Sequence, residues 1–170
     1  STRKESSAAS DVYKRQVRTR VGHSFIKAKM AETNAVFGGE HSAHYYFRDF
    51  WRADSGMLAA MHVLAALGQQ DKPLSEMMAK YNRYAASGEI NSRLDSAEAQ
   101  ADRTEAVVKA FADRAENVDR LDGVTVELKD GNWFNVRASN TEPLLRLNVE
   151  ADTQEAVDAL VKEILAIIRA

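Results

Sequence analysis

Apolar and polar positions alternate with two different periods along this chain, and the change of period divides it. Phe25/Lys29 and Ile26/Met30 stand four apart. That spacing predicts a short helix from Ser24 to about Glu32, with Ser24 as its cap. Val36, Phe37, Tyr45, Tyr46 and Phe47 flank a Gly38-Gly39 break, the pattern of an extended segment with a loop inside it. Asp54 or Ser55 can cap a helix carrying Met57, Leu58, Met61, Leu64 and Ala65 on one stripe, which Gly68 ends. Pro73 opens a further helix with Leu74, Met77, Met78 and Tyr81, and Gly88 is expected to mark its end. A helix over Ala97 to Ala115 comes next. Val124, Val126 and Leu128 then alternate with polar residues, as do Phe134 and Val136, and again Leu145, Leu147 and Val149. Period two means half-buried strands. Asp130-Gly131 predicts the turn between the first two. Asp152, with Glu155 three residues on, predicts a capping box for a last helix through Ile168.

The fold class expected is α/β in the mixed, α+β sense. A partial α/β domain over 17–86 and a linker over 87–95 precede a small α-β-β-β-α domain over 96–170, whose antiparallel sheet carries helices on one face. Residues 1–16 are polar and Ser-rich. They are expected to form a disordered or non-native leader outside the fold.

Composition narrows the function. The 170 residues are 45 % hydrophobic and 28 % charged, as in an ordinary globular chain. Lys and Arg number 23 against 25 Asp and Glu, a formal net charge of −2. Six of the basic residues lie in the first twenty, so 21–170 is acidic and no nucleic-acid partner is expected. Zero cysteines exclude thiolate chemistry and fit a reducing, cytoplasmic location. No apolar run approaches the roughly 18 residues of a membrane span, so no membrane partner is expected.

Two loops hold candidate chemistry. In an extended 38–44 segment, Glu40, Ser42 and His44 share one face. A carboxylate, a hydroxyl and an imidazole in a row can hydrogen-bond the vicinal hydroxyls of a sugar. An exposed polar loop after a Gly-Gly turn is the alternative. In the second loop, Arg137, Ser139, Asn140 and Thr141 bring a guanidinium, hydroxyls, an amide and backbone N–H groups together, the donor set of a phosphate site. A polar strand connection is the alternative there. His23, just before the first helix, is placed where an imidazole can meet an anion. His41 and His44 would point to opposite faces, so no metal site is expected in the chain. GxxxxGK[ST], GxGxxG and GxSxG are all absent.

Together, GEHSAH at 39–44, RASNTEP at 137–143 and VGHSFIKAKM at 21–30 resemble the α-D-phosphohexomutase superfamily, the phosphomannomutase/phosphoglucomutase enzymes. The first resembles the sugar-binding loop of the family's third domain, and the second the phosphate-binding loop of its fourth. The resemblance implies four domains around a cleft, a phosphoserine on domain 1, and a bisphosphate intermediate between hexose 1-phosphate and 6-phosphate. It implies that Glu40 and Ser42 grip sugar hydroxyls, and that Arg137, Ser139, Asn140 and Thr141 hold the phosphate not being transferred. His23 and His44 become candidate catalytic residues near the reacting centre, and Arg20 a weaker one. A Mg²⁺ is implied for the intact enzyme, on a domain 2 aspartate loop.

This chain has no TxSHNP-like serine loop and no DxDxD run. The resemblance therefore covers the second half of domain 3 and all of domain 4, with domains 1 and 2 as missing partners. Taken alone, the chain is expected to bind hexose phosphates, mannose or glucose, without turning them over. The alternative is a non-catalytic phosphosugar- or phosphate-binding module that kept the two loops. A domain 3 without its first strands is expected to leave a sheet edge and an apolar face uncovered, and so to be the less stable part.

Overall fold

The computed structural model describes residues 16–139 and 142–170. The chain is mixed α/β and divides into two compact units, with the division between Tyr81 and Asn82.

In the first unit, helix α1 (His23–Thr33) is followed by three short strands, β1 (Phe37–Gly39), β2 (Tyr45–Phe47) and β3 (Ala53–Asp54). They form an antiparallel sheet in the order β1-β2-β3. α1 starts one residue earlier than its sequence suggests. Gly22, at φ 124°, is the N-cap, and Ser24 lies within the first turn with no capping role. Ile26 and Met30 are buried on one face of α1 against Tyr46. Gly38 makes this packing possible, because a Cβ there would lie 3.0 Å from both Ile26 Cγ2 and Met30 Sδ. Helix α2 (Gly56–Leu67) is capped by Ser55, whose hydroxyl accepts from Leu58 N at 3.1 Å. Its apolar stripe is exposed rather than buried: Met57 is 77 % accessible and Leu64 64 %. His62 stacks on Phe47 at 5.4 Å between centroids. Helix α3 (Leu74–Ala79) is short and does not continue to Gly88.

The second unit opens at Asn82, ahead of the 87–95 stretch. β4 (Ala85–Ala86) and β5 (Ile90–Arg93) both pair antiparallel with β9 (Leu144–Ala151). Within residues 87–95, Ile90–Arg93 thus belong to a sheet. Helix α4 (Ala97–Phe111), capped by Ser96, leads to β6 (Ala115–Asp119), β7 (Val124–Leu128), β8 (Trp133–Ala138) and β9. The antiparallel sheet runs β4-β9-β8-β7-β6, with β5 also on β9. The order between the helices is therefore α-β-β-β-β-α, one strand more than the pattern predicts. β6 gave no alternating signal because only its end residues are half-buried.

The Asp130-Gly131 turn forms, with Gly131 N donating to Leu128 O at 2.9 Å and Gly131 at φ 90°. Helix α5 (Gln154–Ile168) is capped by Thr153, whose hydroxyl accepts from Ala156 N at 3.2 Å, and not by Asp152. Val107 and Phe111 of α4, together with Val157, Leu160, Ile164 and Ile168 of α5, share one core with Phe134, Leu145, Leu147 and Val149. Both helices thereby cover the same face of the sheet.

Candidate functional site

A cavity of about 430 Å³ opens in the first unit between the start of α1 and the β1–β2 connection. Glu40, Ser42, His44 and His23 all line it, together with Lys27 and Asp54. The sequence pattern singled out the first four. The way they meet differs from extended alternation. Glu40 N donates to His44 O at 2.9 Å, Ala43 N donates to Glu40 O at 3.1 Å, and Ala43 sits at φ 64°. The 40–44 stretch is a tight turn, and the turn rather than a strand's period brings the side chains to one cavity. Arg20 stacks over the Phe25 ring at 4.9 Å instead.

Backbone pairing sets the walls. β2 places Tyr46 in the core at 2 % exposure, and its hydroxyl donates to Glu40 Oε1 at 2.5 Å. Burial and the Glu40 carboxylate hold the Tyr46 proton, raising its pKa well above the usual phenol value. β3 places Asp54 beside His44, with Asp54 Oδ2 at 2.6 Å from His44 Nδ1. The other oxygen, Oδ1, accepts from Tyr45 N at 2.8 Å. The hydrogen bond to Asp54 holds the imidazole pKa above its ordinary value, helped by the charges of Asp54 and Glu40 and opposed by desolvation. The same hydrogen bond, with the Tyr45 amide, holds the Asp54 carboxyl below its ordinary range. The cavity thus offers two carboxylates as acceptors, a hydroxyl, two imidazoles and an ammonium, a set suited to a polyhydroxy ligand that carries an anion.

The second loop lies in the other unit. Arg137, near the end of β8, stands opposite Arg146 of β9. Two carboxylates flank these guanidiniums. Glu89 Oε2 is 3.5 Å from Arg146 Nη1 and 4.0 Å from Arg137 Nη2, and Asp122 Oδ2 is 3.9 Å from Arg137 Nε. Ser139 N donates to Leu144 O at 2.8 Å, which fixes the start of the loop. Asn140 and Thr141, the remaining candidates, lie outside the described residues. Arg146, Glu89 and Asp122 carried no signal in the sequence. They meet Arg137 through the β8–β9 register and through turns, neither of which a motif encodes. Two half-buried guanidiniums thus stand side by side, each within 4.0 Å of a carboxylate. Among the described residues, no group of three or more His, Cys, Asp or Glu could hold a metal ion.

Sequence comparison gives the family. Residues 2–84 match the model described as "Phosphoglucomutase/phosphomannomutase, alpha/beta/alpha domain III", and residues 89–167 match the C-terminal domain of the same enzymes. The chain belongs to the phosphohexomutase superfamily. The domain III match begins at residue 2, within the segment that composition alone set aside as a leader.

Among its relatives in this superfamily, a phosphomannomutase of Methanocaldococcus jannaschii is 41 % identical over 152 residues, covering 89 % of this chain and 32 % of the relative. A phosphomannomutase of Salmonella montevideo is 43 % identical over 155 residues, covering 89 % and 33 %. A Xanthomonas campestris protein described as "Phosphohexose mutases" is 45 % identical over 131 residues, covering 76 % and 28 %. The crystal structure of a phosphoglucomutase/phosphomannomutase family protein from Burkholderia thailandensis superposes with a TM-score of 0.69 at 29 % identity, over 89 % of this chain and 32 % of that one. This phosphohexomutase chain spans about a third of the length of the relatives it matches. Among its described residues, no helix is long and apolar enough to cross a membrane.

Proposed function

We propose that this chain is the substrate-gripping part of a phosphohexomutase that interconverts hexose 1- and 6-phosphates. The observation that carries the proposal is the single cavity lined by Glu40, Ser42, His44 and His23, in a chain of this family. In this reading Glu40 and Ser42 bind sugar hydroxyls. Arg137, Ser139, Asn140 and Thr141 bind the phosphate that is not transferred. His23 and His44 lie where a proton or a phosphate oxygen must be met. Phosphoryl transfer depends mainly on positioning and charge, so groups that hold sugar hydroxyls or a phosphate supply much of the catalysis.

The chemistry of transfer needs a phosphoserine and a Mg²⁺. We assign both, as the family resemblance implies, to domains 1 and 2 of the intact enzyme, outside the two domains matched here. The chain alone then binds hexose phosphate and gives no turnover.

Calorimetric titration of the chain with mannose 6-phosphate and with inorganic phosphate tests the proposal. Glu40→Gln is expected to weaken mannose 6-phosphate binding about tenfold, a loss of ~1.4 kcal/mol, and to leave inorganic phosphate unaffected. Arg137→Ala is expected to weaken both. Equal affinity of wild type and both variants for mannose 6-phosphate would contradict the proposal, as would hexose 1-phosphate turnover by the chain alone.

A further inference from the structure

Asp54 is the residue of this cavity whose geometry exceeds any role that its sequence position suggests. It was a candidate helix cap, yet Ser55 does the capping. Both carboxylate oxygens of Asp54 are turned back toward the cavity wall instead. Oδ1 is anchored by the Tyr45 amide at 2.8 Å. Around that contact, the backbone is closed by Ser55 N donating to Tyr45 O at 2.9 Å and by the Tyr46–Asp54 pair of β2 and β3. The carboxylate is therefore fixed before it meets anything else, and Oδ2 then lies 2.6 Å from His44 Nδ1.

An ionised carboxylate can only accept hydrogen bonds. The imidazole nitrogen facing it must carry a proton. That proton removes Nδ1 from ligand chemistry and makes Nε2 the nitrogen whose state can change. A histidine held in this way is an acceptor at Nε2 when neutral and a donor there when charged, and its ring need not turn between the two.

We propose that Asp54 is a positioning residue that fixes the His44 imidazole with its proton on Nδ1, so that Nε2 is the atom offered to a ligand in the cavity. Its role toward substrate rests on the reading of this cavity as a hexose phosphate site. The charged and titratable groups around His44 are Asp54 of β3, Tyr46 of β2, Glu40 of its own turn, and His23 and Lys27 of α1, which line the same cavity. Of these, only Asp54 contacts the ring within hydrogen-bond distance. The direction of the His44 pKa, raised chiefly by that hydrogen bond, agrees with the geometry.

Long-range ¹H–¹⁵N correlation of the imidazole nitrogens in the full 170-residue chain tests this directly. In the wild type, neutral His44 should show a protonated Nδ1 and an unprotonated Nε2. In Asp54→Asn its midpoint should fall and the Nε2–H form should gain population, with the other histidines unmoved. A wild-type His44 in the Nε2–H form would overturn the proposal, whatever the variant does to folding. An Asp54→Asn chain with the same tautomer and midpoint as wild type would also overturn it. Adding glucose 1,6-bisphosphate separates the two levels. A perturbed Nε2 signal is expected. A Nδ1–H tautomer with nitrogen signals unmoved by the sugar phosphate would overturn the substrate-facing role through failure of the site reading, while the Asp54–His44 link itself would have passed.

Discussion

His44 and Asp54 set opposite limits on the pH range of their own contact. His44 has a raised pKa in the fold, so its contribution is fully present below the ordinary histidine value of 6.5 and is lost as pH rises through the raised one. Asp54 has a lowered pKa, so its contribution is fully present above the ordinary 3.8 and is lost as pH falls through the lowered one. The melting temperatures of wild type and Asp54→Asn should therefore differ most between those ordinary values and converge on either side. A difference that keeps growing into alkaline pH would contradict this account of the pair.

Tyr46 gives a second residue-level prediction. Its ring is core and its hydroxyl serves Glu40, so Tyr46→Phe keeps the packing and removes one partly buried bond. Urea denaturation should show a loss of about 1–2 kcal/mol, with weaker sugar phosphate binding because Glu40 loses its anchor. Unchanged stability and unchanged binding would mean that the Tyr46–Glu40 bond does neither job.

At the scale of elements, the sequence was most legible where burial alternates without interruption. β9 is buried at every second residue along its whole length, so Leu145, Leu147 and Val149 announced it. α5 was equally plain because Val157, Leu160, Ile164 and Ile168 keep helical spacing. β4 and β5 were not legible. INSR is polar, and it becomes a strand because Ile90 pairs with Leu147 far along the chain. The candidate site was half legible for the same reason. Glu40, Ser42 and His44 stand together in the sequence. Asp54 and Lys27 reach the cavity through β3 and α1, and Arg146 reaches Arg137 only through sheet register.

Gly123 gives an element-level prediction. It opens β7 at φ 65°, and a Cβ there would lie 2.4 Å from Val136 O and 2.9 Å from Arg137 Cα. Gly123→Ala should cost about 2 kcal/mol or more, because the obstruction is backbone and cannot turn aside. Thermal unfolding with less than half that loss would show that β8 yields, and Arg137 would move with it.

At the scale of the whole molecule, the two units differ in what they bury. The second assembles one core from α4, α5 and the strands β7, β8 and β9. The first buries only Ile26, Met30 and Tyr46 among its described apolar side chains, and leaves Met57, Met61 and Leu64 exposed. Apolar burial is the main favourable contribution to stability, so the first unit should open at lower free energy. Limited proteolysis should cut within 16–81 before it cuts within 82–170, and the reverse order would contradict this ranking.

The proposed function gives loop 39–44 the sugar hydroxyls and loop 137–142 a phosphate, each within its own unit. Chemical-shift mapping of the amide spectrum during titration with glucose 1,6-bisphosphate tests it most directly, with Arg137→Ala as control. Shifts are expected at both loops, with those at 137–142 lost in the control. A well-dispersed spectrum that does not move at either loop would contradict it.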